Sequence, residues 1–448
     1  MSLFAALSVA SQALLANTIA LNSTNKNINN VYTDGYVREE PVFADFPGLG
    51  VEVKELNRVF SSAIYSQLIK ANWENEYYSE RSSILEQIES VFNDAQGSGF
   101  SNEIEEFFNA LNDVAVNPDD IAARESFLSA AQTLVGRIRQ SYSALEEIKA
   151  TSTTQLRDSV NRLNELLKEL ADINRFLPGL KDSPTYNQYL DQRDQLLKEI
   201  SSLIEVKFVI RDDNTVDVYT TKGFALVLRD RAFDVDVENT PDGLELKVSG
   251  VNIAEELKGG QIGGLIAGIN EVNEWEERLN QFTSVFAEKI NAQHEAGYDL
   301  YANTGNALFT SDNGQPIDAS NISLAFEDPK MVAAAASSEN LNADNENAKA
   351  LIALSDEKFG ELGNLSFAEF YGSEIVGAIG SRVSSVKNLY ENSSFRLSSI
   401  EDKFQEISGV NMDEELLKLT KFQRAYEAAT KIVNVSDELL QTVLNMVG

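Results

Sequence analysis

The chain has 448 residues, no cysteine, one histidine and a formal net charge of −33, from 70 acids against 37 bases. That length predicts two to four domains rather than one core. The acidic excess argues against nucleic acid and anionic membranes as partners, and the missing cysteine excludes disulfides, thiolate metal sites and a cysteine nucleophile.

Residues 1–34 contain no Gly or Pro and read as one long helix ending near Thr33-Asp34-Gly35. Its apolar positions recur at alternating three- and four-residue steps: Leu3, Leu7, Ala10, Leu14, Asn17, Leu21, Thr24, Ile28, Val31. The first base is Lys26, and Ser8, Ser11, Gln12, Asn17 and Thr18 interrupt the apolar run. An amphipathic helix is expected, not a cleaved signal peptide or a membrane span. Residues 37–53 hold Pro41, Pro47, Gly48 and Gly50 and read as extended or looped.

Helical spacing returns from residue 55, through Leu56, Val59, Phe60, Ala63 and Ile64, and again over residues 103–116. Asn117-Pro118-Asp119-Asp120 reads as a helix start, with Asn117 as N-cap, Pro118 in the first turn and acids against the positive end of the dipole. The helix it opens runs towards Leu177, where Pro178-Gly179 stops it, and Ser183-Pro184 opens another through Leu196, Leu197 and Leu203.

Near residue 205 the period falls to two: Val206, Phe208, Ile210; Val216, Val218; Val235, Val237; Leu244, Leu246, Val248. Turns are expected at Asp212-Asp213-Asn214 and Pro241-Asp242-Gly243. The glycine run 259–264 closes this small β insertion with a tight turn, and helix resumes through Trp275, Leu279, Phe282, Phe286 and Ile290. Residues 297–330 read as loop and strand, and residues 343–448 as mainly helical. Asn411-Met412-Asp413-Glu414 resembles a capping box opening a last helix of ~50 Å. That helix repeats the 3.5-residue stripe in Leu419, Phe422, Tyr426, Ala429, Val433, Ser436, Leu440, Val443 and Val447.

The expected fold is mainly α with a small β insertion, and it is nested. Residues 1–36 plus 405–448 form a terminal coiled-coil assembly domain, and 37–204 plus 263–404 a helical-bundle middle domain with short strands near 297–330. Residues 205–262 form an all-β outer domain. A 3.5-residue repeat can line an ordinary core, but it is also the seam of a coiled coil and needs a partner helix. Two seams at opposite ends pair with each other, with sister copies, or both. The net charge is −1 over residues 1–40 and −2 over 411–448, so close to −30 falls on the middle of the chain. Near-neutral ends can crowd together beneath an acidic exterior.

Candidates for chemistry are thin. His294 reads as a partly exposed helix-end residue with no third group to position it as a base. The glycine run lacks the Lys-Ser/Thr of a phosphate loop, since Leu265-Ile266 follows Gly264. Asp234-Val-Asp236-Val-Glu238 begins like a calcium loop but has Asn239 at the sixth position, and reads as a strand with a wet acidic face. Adjacent acids such as Glu276-Glu277 leave a remote alternative open, an extracellular glycan hydrolase working with two carboxylates. No catalytic residue, metal or cofactor is expected.

The two ends carry a more specific signal. Ala6-Leu7-Ser8 through Asn29-Asn30-Val31-Tyr32-Thr33-Asp34-Gly35-Tyr36-Val37-Arg38 resembles the N-terminal signature of bacterial flagellar axial proteins, a helix followed by a Thr-x-Gly-Tyr-x-Arg turn. Ser408-Gly409-Val410-Asn411-Met412-Asp413-Glu414-Glu415 with Phe422-Gln423-Arg424-Ala425-Tyr426-Glu427-Ala428 is similar to its C-terminal partner. Rod, hook and junction members share both. Phe107-Phe108-Asn109-Ala110-Leu111 to Arg124, Leu190-Asp191-Gln192-Arg193-Asp194-Gln195-Leu196-Leu197, Gly259-Gly260-x-x-Gly263-Gly264-Leu265, Gly297-Tyr298-Asp299-Leu300, Gly305 and Leu308-Phe309 resemble the junction class more narrowly. The stretch 22–27 is a looser version of the usual Asn-rich segment, and the β region is short, which implies a small outer domain.

The resemblance implies a secreted, non-enzymatic structural adaptor between hook and filament; a hook or distal-rod protein is the alternative within the family. Its implied partners are copies of itself, hook protein, a filament-side junction protein, an export chaperone on the C-terminal helix and the type III export apparatus. It implies an inner tube of terminal helices, a helical outer layer and a β insertion projecting outward. Assembly contacts are expected at Leu3, Leu7, Leu14, Leu21, Ile28, Leu419, Phe422, Tyr426, Val433, Leu440, Val443 and Val447. Gly35, Tyr36, Arg38, Asn411, Phe422, Gln423 and Tyr426 carry the family signature.

Overall fold

The computed structural model describes residues 3–46, 50–93, 99–181, 183–240 and 243–447. Helix α1 (Leu3–Asn29) leads into a β-hairpin, β1 (Glu39–Phe46) and β2 (Gly50–Arg58). The helix stops about five residues before the expected end, because residues 30–36 close into turns. Of the two readings of residues 37–53, extended or looped, the hairpin takes the extended one, with a pairing the sequence did not show. Pro41 is tolerated because a two-stranded ribbon has edges that need no amide donor, and a bulge at Val42/Phe43 breaks the alternation that would have marked a strand. Pro47 and Gly48 lie outside the described residues. By length and apolar composition α1 could cross a membrane, against the sequence expectation. In the fold it lies against the hairpin and the last helix instead.

Helix α2 (Ser62–Val91) starts after β2, later than expected, and α3 (Phe100–Val116) follows. The 117–120 tetrad does separate two helices, but with shifted roles. Asn117 caps the end of α3, and the Asp120 carboxylate accepts the Ala122 amide at 2.9 Å to open α4 (Ile121–Phe176). Helix α5 (Tyr186–Leu203) runs into the β insertion.

The insertion comprises one four-stranded antiparallel sheet, β3 (Val206–Ile210), β4 (Val216–Thr220), β5 (Ala225–Leu228) and β6 (Arg231–Ala232). A three-stranded antiparallel sheet follows, β7 (Val235–Thr240), β8 (Gly243–Val248) and β9 (Val251–Asn252). Pro241 and Asp242 of the expected turn lie outside the described residues. Two asparagines of α4 bolt these sheets down. The Asn164 amide pairs with both main-chain groups of Val235 at 2.8 Å, and Asn174 does the same for Val216 at 2.7 and 2.9 Å. Asn164 acts as an extra strand residue beside the edge strand β7, and Asn174 does so at the start of β4, before its pairing with β5 begins. In β7 the valines face inward and Asp234, Asp236 and Glu238 face water.

Helix α6 (Gly260–Glu295) contains most of the glycine run. Gly259 and Gly260 make the turn, Gly260 with φ +72°, but Gly264 and Gly268 serve close packing against α2. A Cβ on Gly264 would lie 2.8 Å from the Tyr77 carbonyl oxygen. Strands β10 (Phe309–Ser311) and β11 (Ile322–Leu324) form a small hairpin. Helices α7 (Glu346–Ala353) and α8 (Phe367–Phe370), a π-helical stretch Tyr371–Gly377, α9 (Ala378–Ser408) and α10 (Met412–Val447) complete the chain. Phe107, Phe127, Phe282, Phe286 and Phe367 interlock α3, α4, α6 and α8 at the centre of the apolar core.

Candidate assembly interface

The two striped helices meet within one copy. Helix α1 packs on α10, and the β1–β2 hairpin covers a second side of α1. The Asn27 side chain, near the C-terminal end of α1, reaches Glu415 near the start of α10, so the helices run antiparallel. The hairpin rises beside them: Glu39 sits at Asn27, Phe43 meets Phe422 with ring centroids 6.0 Å apart, and Gly50 abuts Val9. No described residue of α1 or α10 belongs to the continuous apolar core that extends from Val37 to Phe404. The terminal pair is a separate and thinner contact.

The α10 residues buried against α1 and the hairpin are Glu415, Phe422, Ala429 and Ser436, a strict seven-residue spacing. On α1 the deepest are Ala10, Ala16, Ala20, Ser23, Thr24 and Asn27. Among the expected contacts, Leu3, Leu7, Leu14, Leu21 and Ile28 are half-buried at the flanks of that line, as are Leu419, Val433 and Leu440. Phe422 is buried, Tyr426 and Val443 are exposed, and the side chain of Val447 lies outside the described residues. A second, outward face is also apolar. Phe4 is 71% exposed, Leu417 73%, Leu444 70% and Met446 80%, with Leu15, Ile432, Val435 and Leu439 between them.

The signature residues build the clip at the base of this pair. Gly35 takes φ +76°, a left-handed conformation that favours glycine. The Tyr36 hydroxyl donates to Asn27 Oδ1 at 2.7 Å, and burial, then the nearby Glu39 carboxylate, push its pKa upward. The Arg38 amide donates to the Ser408 carbonyl at 3.0 Å, and its guanidinium approaches Glu414 at 3.4 Å. Asn411 Oδ1 accepts the Asp413 amide at 3.0 Å and opens α10. Lys418 joins Glu415 at 2.8 Å to Glu40 at 2.9 Å; burial works against its charge, yet the two carboxylates hold its pKa above the usual lysine value. Gln423 is exposed. Sequence reasoning passed over Asn27, Glu39 and Glu415, all buried to within 2%; an acid at a seam position of an amphipathic helix was the available signal for Glu415.

The chemical candidates fall elsewhere. His294 is fully buried, not partly exposed: its Nδ1–H donates to the Asn306 carbonyl, and its Nε2 accepts the Ala333 amide at 2.9 Å. Burial holds its pKa down, to about 4. Glu277 is exposed while Glu276 is buried, where it meets Glu146 and Lys149, the latter at 2.9 Å. Among the described residues no group of three or more His, Asp or Glu side chains is placed to hold a metal ion.

Comparison with known proteins gives a consistent picture. Residues 85–309 match the family described as the flagellar hook-associated protein FlgK helical domain, and residues 401–446 match the flagellar basal body rod FlgEFG protein C-terminal family. The chain is 25% identical to flagellar hook-associated protein 1 of Bacillus subtilis, over 100% of this chain and 99% of that protein. It is 22% identical to the Escherichia coli protein of the same name, over 98% of each. The structure of the flagellar hook junction protein FlgK from Burkholderia pseudomallei superposes with a TM-score of 0.68 at 17% identity, over 77% of this chain and 100% of that one.

Proposed function

The chain belongs to the flagellar hook-associated protein family, and from that premise we propose that it is a structural subunit of the bacterial flagellum joining hook to filament and assembling through its paired terminal helices. The observation that carries this reading is the outward apolar face of the α1–α10 pair. One copy pairs its own seams yet leaves Phe4, Leu417, Leu444 and Met446 largely in water. Large apolar side chains left exposed along both terminal helices mark a site for protein partners. Sister copies supply that cover, with hook protein on one side and a filament-side junction protein on the other.

A hook or distal-rod role has less support, since the rod-type match covers residues 401–446 while the hook-associated helical-domain match covers 85–309. The same reading makes the protein non-enzymatic and places it outside the cell, exported without a cleaved signal through the type III apparatus, with a chaperone covering α10 beforehand. Free α10, with its exposed apolar residues, is the segment that most needs such cover.

Deleting the gene from the source bacterium and imaging its flagella tests the proposal. Bare hooks, with filament protein released to the medium, are expected. Restoring the parent protein brings filaments back, whereas Leu440→Asp does not. Normal filaments in the deletion strain would overturn the reading.

A further inference from the structure

Asn27 is saturated. Its Oδ1 accepts the Tyr36 hydroxyl at 2.7 Å and the Glu39 amide at 3.0 Å, and its Nδ2 donates to the Glu39 carbonyl at 2.9 Å and to Glu415 Oε2 at 3.0 Å. A carboxamide has two donor hydrogens and two acceptor lone pairs, so every position is filled. The four bonds reach three elements: the turn after α1, strand β1 and helix α10. Asn27 and Glu415 are each 1% exposed, and the Asn27–Glu415 bond crosses directly from one terminal helix to the other.

The hairpin adds contacts to each helix, from Glu39 to α1 and from Phe43 and Glu40 to Phe422 and Lys418 of α10, but the other layers where α1 faces α10 directly carry little alignment information. Counting antiparallel from Asn27 and Glu415, Ala20 lies level with Phe422, Ala13 with Ala429 and Ala6 with Ser436. These layers repeat every seven residues, so α1 sliding by one heptad still finds small side chains opposite it. The polar layer does not repeat. A slide of that size sets Ala20 against Glu415, and the buried carboxylate loses an amide donor that nothing replaces. The Arg38 amide ties the following turn to the end of α9, and Ser23 and Lys26 hold α1 to Glu39 of β1, whereas the Asn27–Glu415 bond runs directly from α1 to α10.

We propose that Asn27 and Glu415 form a register key: their hydrogen bond fixes which residues of α1 and α10 stand side by side. Resting on the assembly reading above, the key thereby fixes the composite outward face that a sister copy meets. A single buried polar pair setting alignment at a cost in stability is how apolar helix seams are specified. Asn27 acts as a positioning residue; the outward apolar side chains make the contact.

The absence of native cysteine allows a clean test in the full chain. Two paired-cysteine variants are oxidised at high dilution, Ala13→Cys with Ala429→Cys for the aligned register and Ala6→Cys with Ala429→Cys for the register displaced by one heptad, in which Ala20 faces Glu415. In the parent background the aligned pair is expected to cross-link in preference by at least about tenfold, the factor that one charge-assisted hydrogen bond supplies. Adding Asn27→Leu with Glu415→Leu, which makes the layer apolar, should bring the two yields close together. Glu415→Gln, which keeps an acceptor for Asn27, should restore the preference. An unchanged preference in the Leu/Leu background, with terminal helicity intact by circular dichroism, overturns the proposal. Should that background lose helicity, Glu415→Leu alone decides by the same ratio. Because the ratio is read on separated single copies, it stands or falls independently of whether the protein joins hook to filament.

Discussion

The Nε2 atom of His294 accepts a hydrogen bond from the Ala333 amide at 2.9 Å, which fixes the ring proton on Nδ1 and leaves no place for a second. Burial, reinforced by the Arg124 guanidinium, lowers the pKa from 6.5 to about 4. Between those values the unfolded chain binds a proton that the folded chain does not, so stability falls as pH drops through that window. The loss is about 3 kcal/mol. As the sole histidine, its imidazole NMR signals are unambiguous and should not titrate above pH 5. A midpoint near 6.5 in the folded protein would contradict the buried geometry, and the acid-dependent loss should shrink in His294→Gln.

Glycines that sit alike in helices should respond oppositely to alanine. Gly136 on α4 has nothing within 4 Å of an added Cβ, so Gly136→Ala should stabilise by about 0.5–1 kcal/mol through helix propensity. Gly264→Ala gains the same propensity but drives a methyl to 2.8 Å from the Tyr77 carbonyl oxygen, and a net loss of about 1–3 kcal/mol is expected. Thermal unfolding of the two variants reads the difference directly. Equal gains would mean that α2 and α6 are not so closely apposed.

Glu276 is raised to about 7, by burial first and then by its hydrogen bond with Glu146, with Lys149 opposing. The folded state therefore holds a proton between pH 4.5 and 7 that the unfolded state has lost, and this contribution to stability disappears as pH rises through that range. Glu276→Gln mimics the protonated form. It should raise the Tm at pH 8 and change it little at pH 5. A stabilisation independent of pH would show that no proton is shared there.

The terminal pair, lying outside the main apolar core, should open most readily. In dilute protein, amides of α1 and α10 should exchange faster than those of α4 and α6, and slow on association. Equal protection in the single copy would argue that no cover from sister molecules is needed.

Much of this molecule could be read from local signals. The 3.5-residue stripes gave the terminal helices, the switch to period two gave the β insertion, and Pro118 with its acids marked the break before α4. What escaped had no local signature. The β1–β2 hairpin was hidden by Pro41 and by a bulge that shifts the alternation at Phe43. The depth of His294 depends on Asn306 and Ala333, which loop back over the end of α6. The clip joins Asn27 to a carboxylate 388 residues away, a relation no periodicity encodes. Within the stripes, spacing found Ala10, Thr24, Phe422, Ala429 and Ser436 among the buried residues but missed Ala16, Ala20, Ser23 and Asn27, and it included Tyr426 and Val443, which stand in water, because small side chains approach closely and leave the leucines at the rim.

Because nearly all the other described elements lie between α1 and α10 in the chain, their pair cannot form until α10 has been made. A product cut short anywhere before Met412 keeps α1 but has no mate for it, and offers neighbours half a surface. Completeness of the paired surface is thus a property of the folded whole, since neither helix presents it alone.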